Sequence, residues 1–236
     1  MIRGVLFDLG GTLHVSDSPP GRDVWFARRV IERLGDYGIR LDISPEALAK
    51  QLNVNAEEYK HHSEQDLREQ KLTPEQLSPM SEELSFLYDY ERVRVMRRPH
   101  LAETLERLRD MGIRVGVISN IISRSVVPHF LAEYGIDGYM DCVITSCGTG
   151  IRKPDPEIFR VAERRMGMAP EELAYVGDTI SRDVRGSRAA GWRLMIQIRN
   201  PSVAHRDKGL ENGPWKPDYL IEDLAEIPGI LARENG

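Results

Sequence analysis

Apolar positions along this chain follow two rhythms. Val5-Leu6-Phe7 is a short continuous apolar run, closed by Asp8 and the turn signal Gly10-Gly11. A run of that length bounded by glycines predicts a buried strand. Val24, Ala27, Ile31 and Leu34 then recur at helical spacing, with Arg28, Arg29 and Glu32 between them. Ser44-Pro45-Glu46 opens a second helix, with Ser as N-cap and Pro at the first helical position. Thr73-Pro74-Glu75-Gln76 repeats that grammar with a capping-box Gln. Ser81 to about Val93 carries Leu84, Phe86, Leu87 and Tyr90 as one more helical stripe. Residues 16–96 therefore read as all-helical.

From Pro99 onward the rhythm alternates. Leu101, Leu105 and Leu108 form a helical stripe that stops at Met111-Gly112, where glycine suits the position after a helix. Strands are expected at Ile113 to Ile118, Met140 to Thr145, Leu173 to Val176, Arg193 to Ile198 and Tyr219 to Ile221. Helices are expected at Val126 to Tyr134, Pro156 to Met166 and Asp183 to Ala190, and the polar stretch Pro201 to Pro217 reads as a loop. Strand and helix in turn predict an α/β fold, a Rossmann-like parallel sheet with helices on both faces. That core takes residues 1–15 and 97–236, and the all-helical domain 16–96 is inserted after its first strand.

Composition narrows the setting. With 41% hydrophobic and 29% charged residues in 236, this is an ordinary globular chain with enough apolar matter for a core. A net charge of −5 without a basic block argues against nucleic-acid binding. No apolar run reaches membrane-span length, and the first residues lead straight into a strand without a signal peptide, so the cytoplasm is the expected location. Cys142 lies in an apolar run and Cys147 in the loop beyond it; both read as structural. His61-His62 are adjacent on a helical stretch and do not share a face, which makes them a poor metal pair. Trp25, Phe26 and Tyr59 read as packing residues. No oligomeric state follows from the sequence.

Candidate chemistry gathers past the strands. Asp8, Ser119-Asn120, Lys153, and Asp178 with Asp183 all fall just beyond predicted strands. In a parallel sheet those ends share the edge where ligands bind. Carboxylates at Asp8 and Asp178 would repel each other unless a cation lay between them. An oxygen-only set without His or thiolate suits Mg²⁺. Ser119 and Lys153 are phosphate-type ligands, a hydroxyl and a point charge. The first helical turn after Ser119 could add backbone N–H donors.

These motifs resemble the haloacid dehalogenase superfamily, in its phosphatase-like branch with a helical cap. The residues are Phe7-Asp8-Leu9-Gly10-Gly11-Thr12-Leu13, Val117-Ile118-Ser119-Asn120, Arg152-Lys153-Pro154-Asp155-Pro156, and Val176-Gly177-Asp178-Thr179 through Asp183 to Gly186 and Gly191. The resemblance implies that Asp8 attacks phosphorus and forms an aspartyl-phosphate. It implies that Thr12, Ser119 and Asn120 bind the phosphorylated small molecule, and that Lys153 neutralises charge on Asp8 and the phosphoryl group. It makes Asp8, the Gly10 carbonyl, Asp178 and Asp183 the Mg²⁺ ligands, Asp183 directly or from behind.

One position departs from that pattern. Phosphatases of this superfamily normally carry a second Asp two residues after the nucleophile, which protonates the leaving oxygen and later activates water. Here the residue is Gly10. Three readings stay open: a Mg²⁺-dependent phosphohydrolase of a small phosphorylated metabolite, a catalytically weak or inactive phosphate-binding regulator, and a dehalogenase-type hydrolase. Dehalogenases of the superfamily also lack the second acid but work without metal, and Asp178 with Asp183 argues against them.

Overall fold

The computed structural model describes residues 1–58 and 72–236. Tyr59, His61 and His62 lie outside the described residues. Strands are numbered along the chain as β1 (Gly4–Phe7), β2 (His14–Asp17), β3 (Arg94–Arg97), β4 (Arg114–Ser119), β5 (Met140–Thr145), β6 (Leu173–Gly177), β7 (Leu194–Ile198) and β8 (Tyr219–Ile221). Six of them form one sheet in the order β5-β4-β1-β6-β7-β8. Every pairing in it is parallel.

The continuous apolar runs are explained by burial on both faces. All four residues of β1 and all five of β6 are buried, as expected where helices cover a parallel sheet. Leu6, Ile118, Tyr175 and Met195 point to one face and pack with Phe159 and Trp192. The alternate residues Phe7, Val117, Val176 and Ile196 point the other way and are also fully buried. Cys142 belongs to the first of these layers, and burial pushes its thiol up to about 11, which leaves it inert.

The chain divides into two compact units. One takes Met1–Ser16, Met96–Ile121 and Val127–Gly236; the other takes Asp17–Val95 together with Ile122–Val126. The second unit has an apolar core of its own, built from Phe26, Ala27, Val30, Leu34, Leu48, Leu77, Met80 and Leu84 among others. Its helices begin where their caps say. Thr73 accepts from Gln76 N in a complete capping box, and Ser44 Oγ accepts from Ala47 N at 3.2 Å. Phe26 is buried in this core, while Trp25 is partly exposed beneath the Arg22 guanidinium, 3.9 Å from its ring centroid. Among the described residues no helix is long and apolar enough to cross a membrane.

Two local expectations are corrected. The stretch 16–96 is not wholly helical: its last helix stops at Phe86, a π-helical turn follows at Leu87–Glu91, and β3 pairs with β2. These strands are short and half-exposed, so no buried stripe marks them in the sequence. Their pairing satisfies the backbone where the chain passes twice, and Arg94 Nε adds a 3.0 Å bond to Asp17. The stretch Pro201 to Pro217 contains a 3₁₀ turn, Pro201–Asp207. Asp207, buried, accepts from the backbone N–H groups of Ile180 at 2.7 Å and Ser181 at 2.9 Å.

Gly116 shows how closely β4 and β5 approach. A Cβ there would stand 2.7 Å from Cys142 Sγ and 2.9 Å from the Cys142 carbonyl oxygen. Backbone cannot move aside cheaply, so Gly116→Ala should destabilise the protein by about 1–3 kcal/mol, the usual cost of overpacking. Denaturant unfolding of both proteins measures it; equal midpoints would contradict this packing.

Candidate active site

The carboxyl ends of β1, β4 and β6 lie level. Phe7 is in register with Val117 on one side and Val176 on the other. Asp8, Ser119 and Asp178 therefore emerge together at the edge where the strand order turns, the usual ligand position of such sheets.

Lys153 reaches this edge from the loop before the helix Pro156–Met166, whose first turn is capped by Asp155. Its ammonium is almost completely buried and lies 2.9 Å from Asp8 Oδ1 and 2.7 Å from Asp183 Oδ1. The third donor goes to Tyr175 Oη at 2.8 Å. Tyr175 Oη in turn donates a hydrogen bond to the carbonyl of Ile118 at 3.0 Å. Burial first, and the neighbouring carboxylates after it, push the Tyr175 phenol well above its ordinary range, so it keeps that proton.

The carboxylates differ in how far the protein satisfies them. Asp183 Oδ2 accepts from Thr179 N at 3.0 Å and from the Thr179 hydroxyl. Burial works to raise its pKa, but Lys153 and Arg182 win and hold it below the ordinary value. Asp8 is raised, because its burial outweighs Lys153. Asp178 is raised to about 7, by burial first and then by Asp183 and Asp8. Asp178 Oδ2 accepts from Asn200 Nδ2 at 2.7 Å; its Oδ1 is buried and has no hydrogen-bond partner among the described residues. One carboxylate oxygen from each of Asp8, Asp178 and Asp183 lies within 4.8 Å of the others. An orphaned carboxylate oxygen in an all-oxygen cluster fits a hard divalent cation.

The other expected site residues fall in three groups. Ser119 ends β4 and is buried at this edge. Thr12 is fully buried with a hydroxyl that has no partner. Asn120, expected to bind substrate, is committed elsewhere: its Nδ2 donates to Lys153 O and its Oδ1 accepts from Lys153 N, both at 2.9 Å. It holds the lysine loop in place. The N–H donors expected beyond Ser119 are also taken. Ile121 N donates to Ser146 Oγ, Ile122 N and Ser123 N to Asp89, and Arg124 N and Ser125 N to Glu82.

Gly10 is exposed and bridges to His14. Among the described residues, a Cβ at Gly10 would meet His14 Nε2 alone, at 3.9 Å. The His14 ring is held by Tyr134 Oη at 3.0 Å from Nδ1. Burial lowers the His14 pKa to about 4, so the imidazole is neutral at pH 7 and carries no proton to spare. Gly11 has a positive φ of +86°, and a Cβ there would stand 1.8 Å from Asp178 Oδ2.

Four residues of the site escaped the sequence reading. Tyr175 sits in an apolar run and reads as core. Arg98, which donates to the Gly11 carbonyl at 2.7 Å, and Asp207, which holds the turn at Ile180 and Ser181, lie in segments without a motif. Asn200 stands just past β7, and extending the strand-end rule to one more strand would have found it.

A family model for haloacid dehalogenase-like hydrolases matches residues 2–191. The chain belongs to that family and is a hydrolase of it. It is 30% identical to a glyceraldehyde 3-phosphate phosphatase from Methanopyrus kandleri, over 98% of this chain and 97% of that protein. A HAD phosphatase from Thermococcus onnurineus has a similar structure, with a TM-score of 0.65, 25% identity and 98% of each chain covered. A 2-haloacid dehalogenase from Pseudomonas syringae pv. Tomato DC3000 has a TM-score of 0.66 at 25% identity, over 99% of this chain and 100% of that one.

The raised pKa of Asp178 carries a sign. Without a cation the folded state keeps a proton that the unfolded chain loses near 3.8. That stability is complete below about 3.8 and is lost as pH rises through about 7. Metal-free protein should therefore unfold more easily near pH 8 than near pH 5, and Asp178→Asn should flatten the difference. Urea unfolding in EDTA at both pH values tests this; an equal slope in the variant would contradict the assignment.

Proposed function

We propose that this chain is a Mg²⁺-dependent phosphohydrolase of a small phosphorylated metabolite, with Asp8 as nucleophile. The observation that carries the reading is the buried Asp8–Lys153–Asp183 cluster beside the bare oxygen of Asp178. Three carboxylates converge beside Lys153, with Arg182 acting on them as well, and the bare oxygen of Asp178 is where a divalent ion would add the positive charge it lacks. Asp8, Asp178 and the Gly10 carbonyl would hold that ion, with Asp183 behind them as the partner of Lys153. When bound, the ion would screen the nucleophile from the phosphoryl oxygens.

Asp8 attacks phosphorus, the bond from phosphorus to the leaving oxygen breaks, and the leaving oxygen takes a proton or departs as an anion. Water then attacks the aspartyl-phosphate, the bond from phosphorus to the Asp8 oxygen breaks, and the proton of the water passes to phosphate or solvent. Lys153 and the hydroxyls of Ser119 and Thr12 hold the transferring group. The helical unit, residues 16–96 in the main, is the cap that selects the substrate. The kinship with a glyceraldehyde 3-phosphate phosphatase supports a short-chain phosphate ester of that kind.

Gly10 supports a second reading, a phosphate-binding regulator without turnover. The side chain nearest Gly10 is a neutral imidazole, and Asp17 is paired with Arg94. Among the described residues neither His14 nor Asp17 stands in for the missing acid, so turnover should depend on leaving-group acidity. General acid–base help is worth about 10²–10⁴-fold. Acetyl phosphate should then be hydrolysed much faster than a sugar phosphate. Gly10→Asp, whose Cβ would stand 3.9 Å from His14 Nε2, should speed the sugar phosphate by up to about 10²-fold, while Asp8→Asn abolishes both activities. Single-turnover kinetics with Mg²⁺ decide between the readings. No turnover by parent or Gly10→Asp, with Mg²⁺ bound, favours the regulator. Chloride release from a haloacid in EDTA would point to dehalogenase chemistry.

A further inference from the structure

Asp178 offers one oxygen to an ion only if the other is held. Asn200 Nδ2 donates to Oδ2 at 2.7 Å, which leaves the buried Oδ1 as the oxygen without a protein partner. A carboxylate free to rotate would interchange the two. Asn200 is itself oriented, because its Oδ1 accepts from the Ser202 hydroxyl at 2.6 Å, and this fixes which end of the amide faces Asp178.

The backbone around this pair is tied from a third direction. Arg98 donates through Nη2 to the carbonyl of Gly11 at 2.7 Å and to the carbonyl of Arg199 at 3.0 Å. One guanidinium thus links the nucleophile loop to the residue preceding Asn200. Gly11 is the wall between the two: a Cβ on it would fall 1.8 Å from Asp178 Oδ2 and 2.6 Å from Asn200 Nδ2. The Asn200–Asp178 hydrogen bond therefore fills the space that a side chain at position 11 would need.

We propose that Asn200 is the positioning residue of the cation site, orienting Asp178 so that Oδ1 is presented to Mg²⁺, with Ser202 and Arg98 fixing Asn200 in turn. This rests on the reading of Asp8, Asp178 and Asp183 as a Mg²⁺ site. Partners that orient metal ligands typically contribute about 10- to 100-fold in metal affinity.

The test is magnesium chloride binding to the metal-free full chain, by calorimetry and by the rise in Tm that Mg²⁺ produces. Asn200→Ala should weaken the dissociation constant about 10- to 100-fold and shrink the Tm rise at fixed Mg²⁺. Asn200 acting only as a loop brace would lower the metal-free Tm and leave the dissociation constant where it was. A dissociation constant within about twofold of the parent overturns the proposal. Ser202→Ala removes only the exposed bond that orients the amide and should weaken binding by a few-fold. If Asn200→Ala does not fold, unchanged Mg²⁺ binding in Ser202→Ala overturns the proposal instead. A parent that binds no Mg²⁺ removes the metal reading and this proposal together; a parent that binds while the variants match it removes this one alone.

Discussion

A lysine ammonium almost wholly withdrawn from water lies between two carboxylates and a phenol hydroxyl, and the site depends on that arrangement. Isolated, such a charge would be expensive to bury. Lys153 is retained because each of its donors has an acceptor: Asp8, Asp183 and Tyr175. Asp8 follows β1, while Tyr175 lies in β6 and Asp183 in the turn after it, so the contacts form only once the sheet has brought β1 and β6 together. Asn120 extends the same coupling through the Lys153 backbone to β4. Chemistry and fold are held by one set of bonds.

Of the three carboxylates, Asp178 is the least satisfied by the protein. Asp178 has one satisfied oxygen and one bare one, and its pKa is raised to about 7. Both features are costs in the cation-free molecule. The overall fold does not choose a reaction, since a phosphatase and a dehalogenase resemble it about equally, with TM-scores of 0.65 and 0.66. Function resides in sites carried by folds, so the reaction is to be sought in the arrangement of these carboxylates.

The helical unit is a compact unit with its own apolar core, and it also takes in Ile122–Val126. Glu82 and Asp89 accept the backbone donors of that segment. Carboxylates at free N–H groups are a stable pairing. The chain just beyond Ser119-Asn120 is thereby anchored by side chains of the insertion.

Sequence alone determined whatever depends on local pattern. The runs at Val5-Leu6-Phe7 and Leu173 to Val176, the helical stripes, the Thr73 capping box and the strand-end polar residues are written in neighbouring positions. Their period and chemistry do not depend on where the rest of the chain lies. That made the parallel sheet legible, and with it the gathering of Asp8, Lys153, Asp178 and Asp183 at one sheet edge. Tertiary structure alone decided how polar groups distant in sequence are shared. Asn120 turned out to brace Lys153, the donors after Ser119 were already taken, and β2 and β3 paired without a buried stripe. Tyr175, Arg98, Asn200 and Asp207 entered the site from an apolar run and unmarked loops. A hydrogen bond is specified by the position of both partners, and a one-dimensional pattern records only one of them at a time.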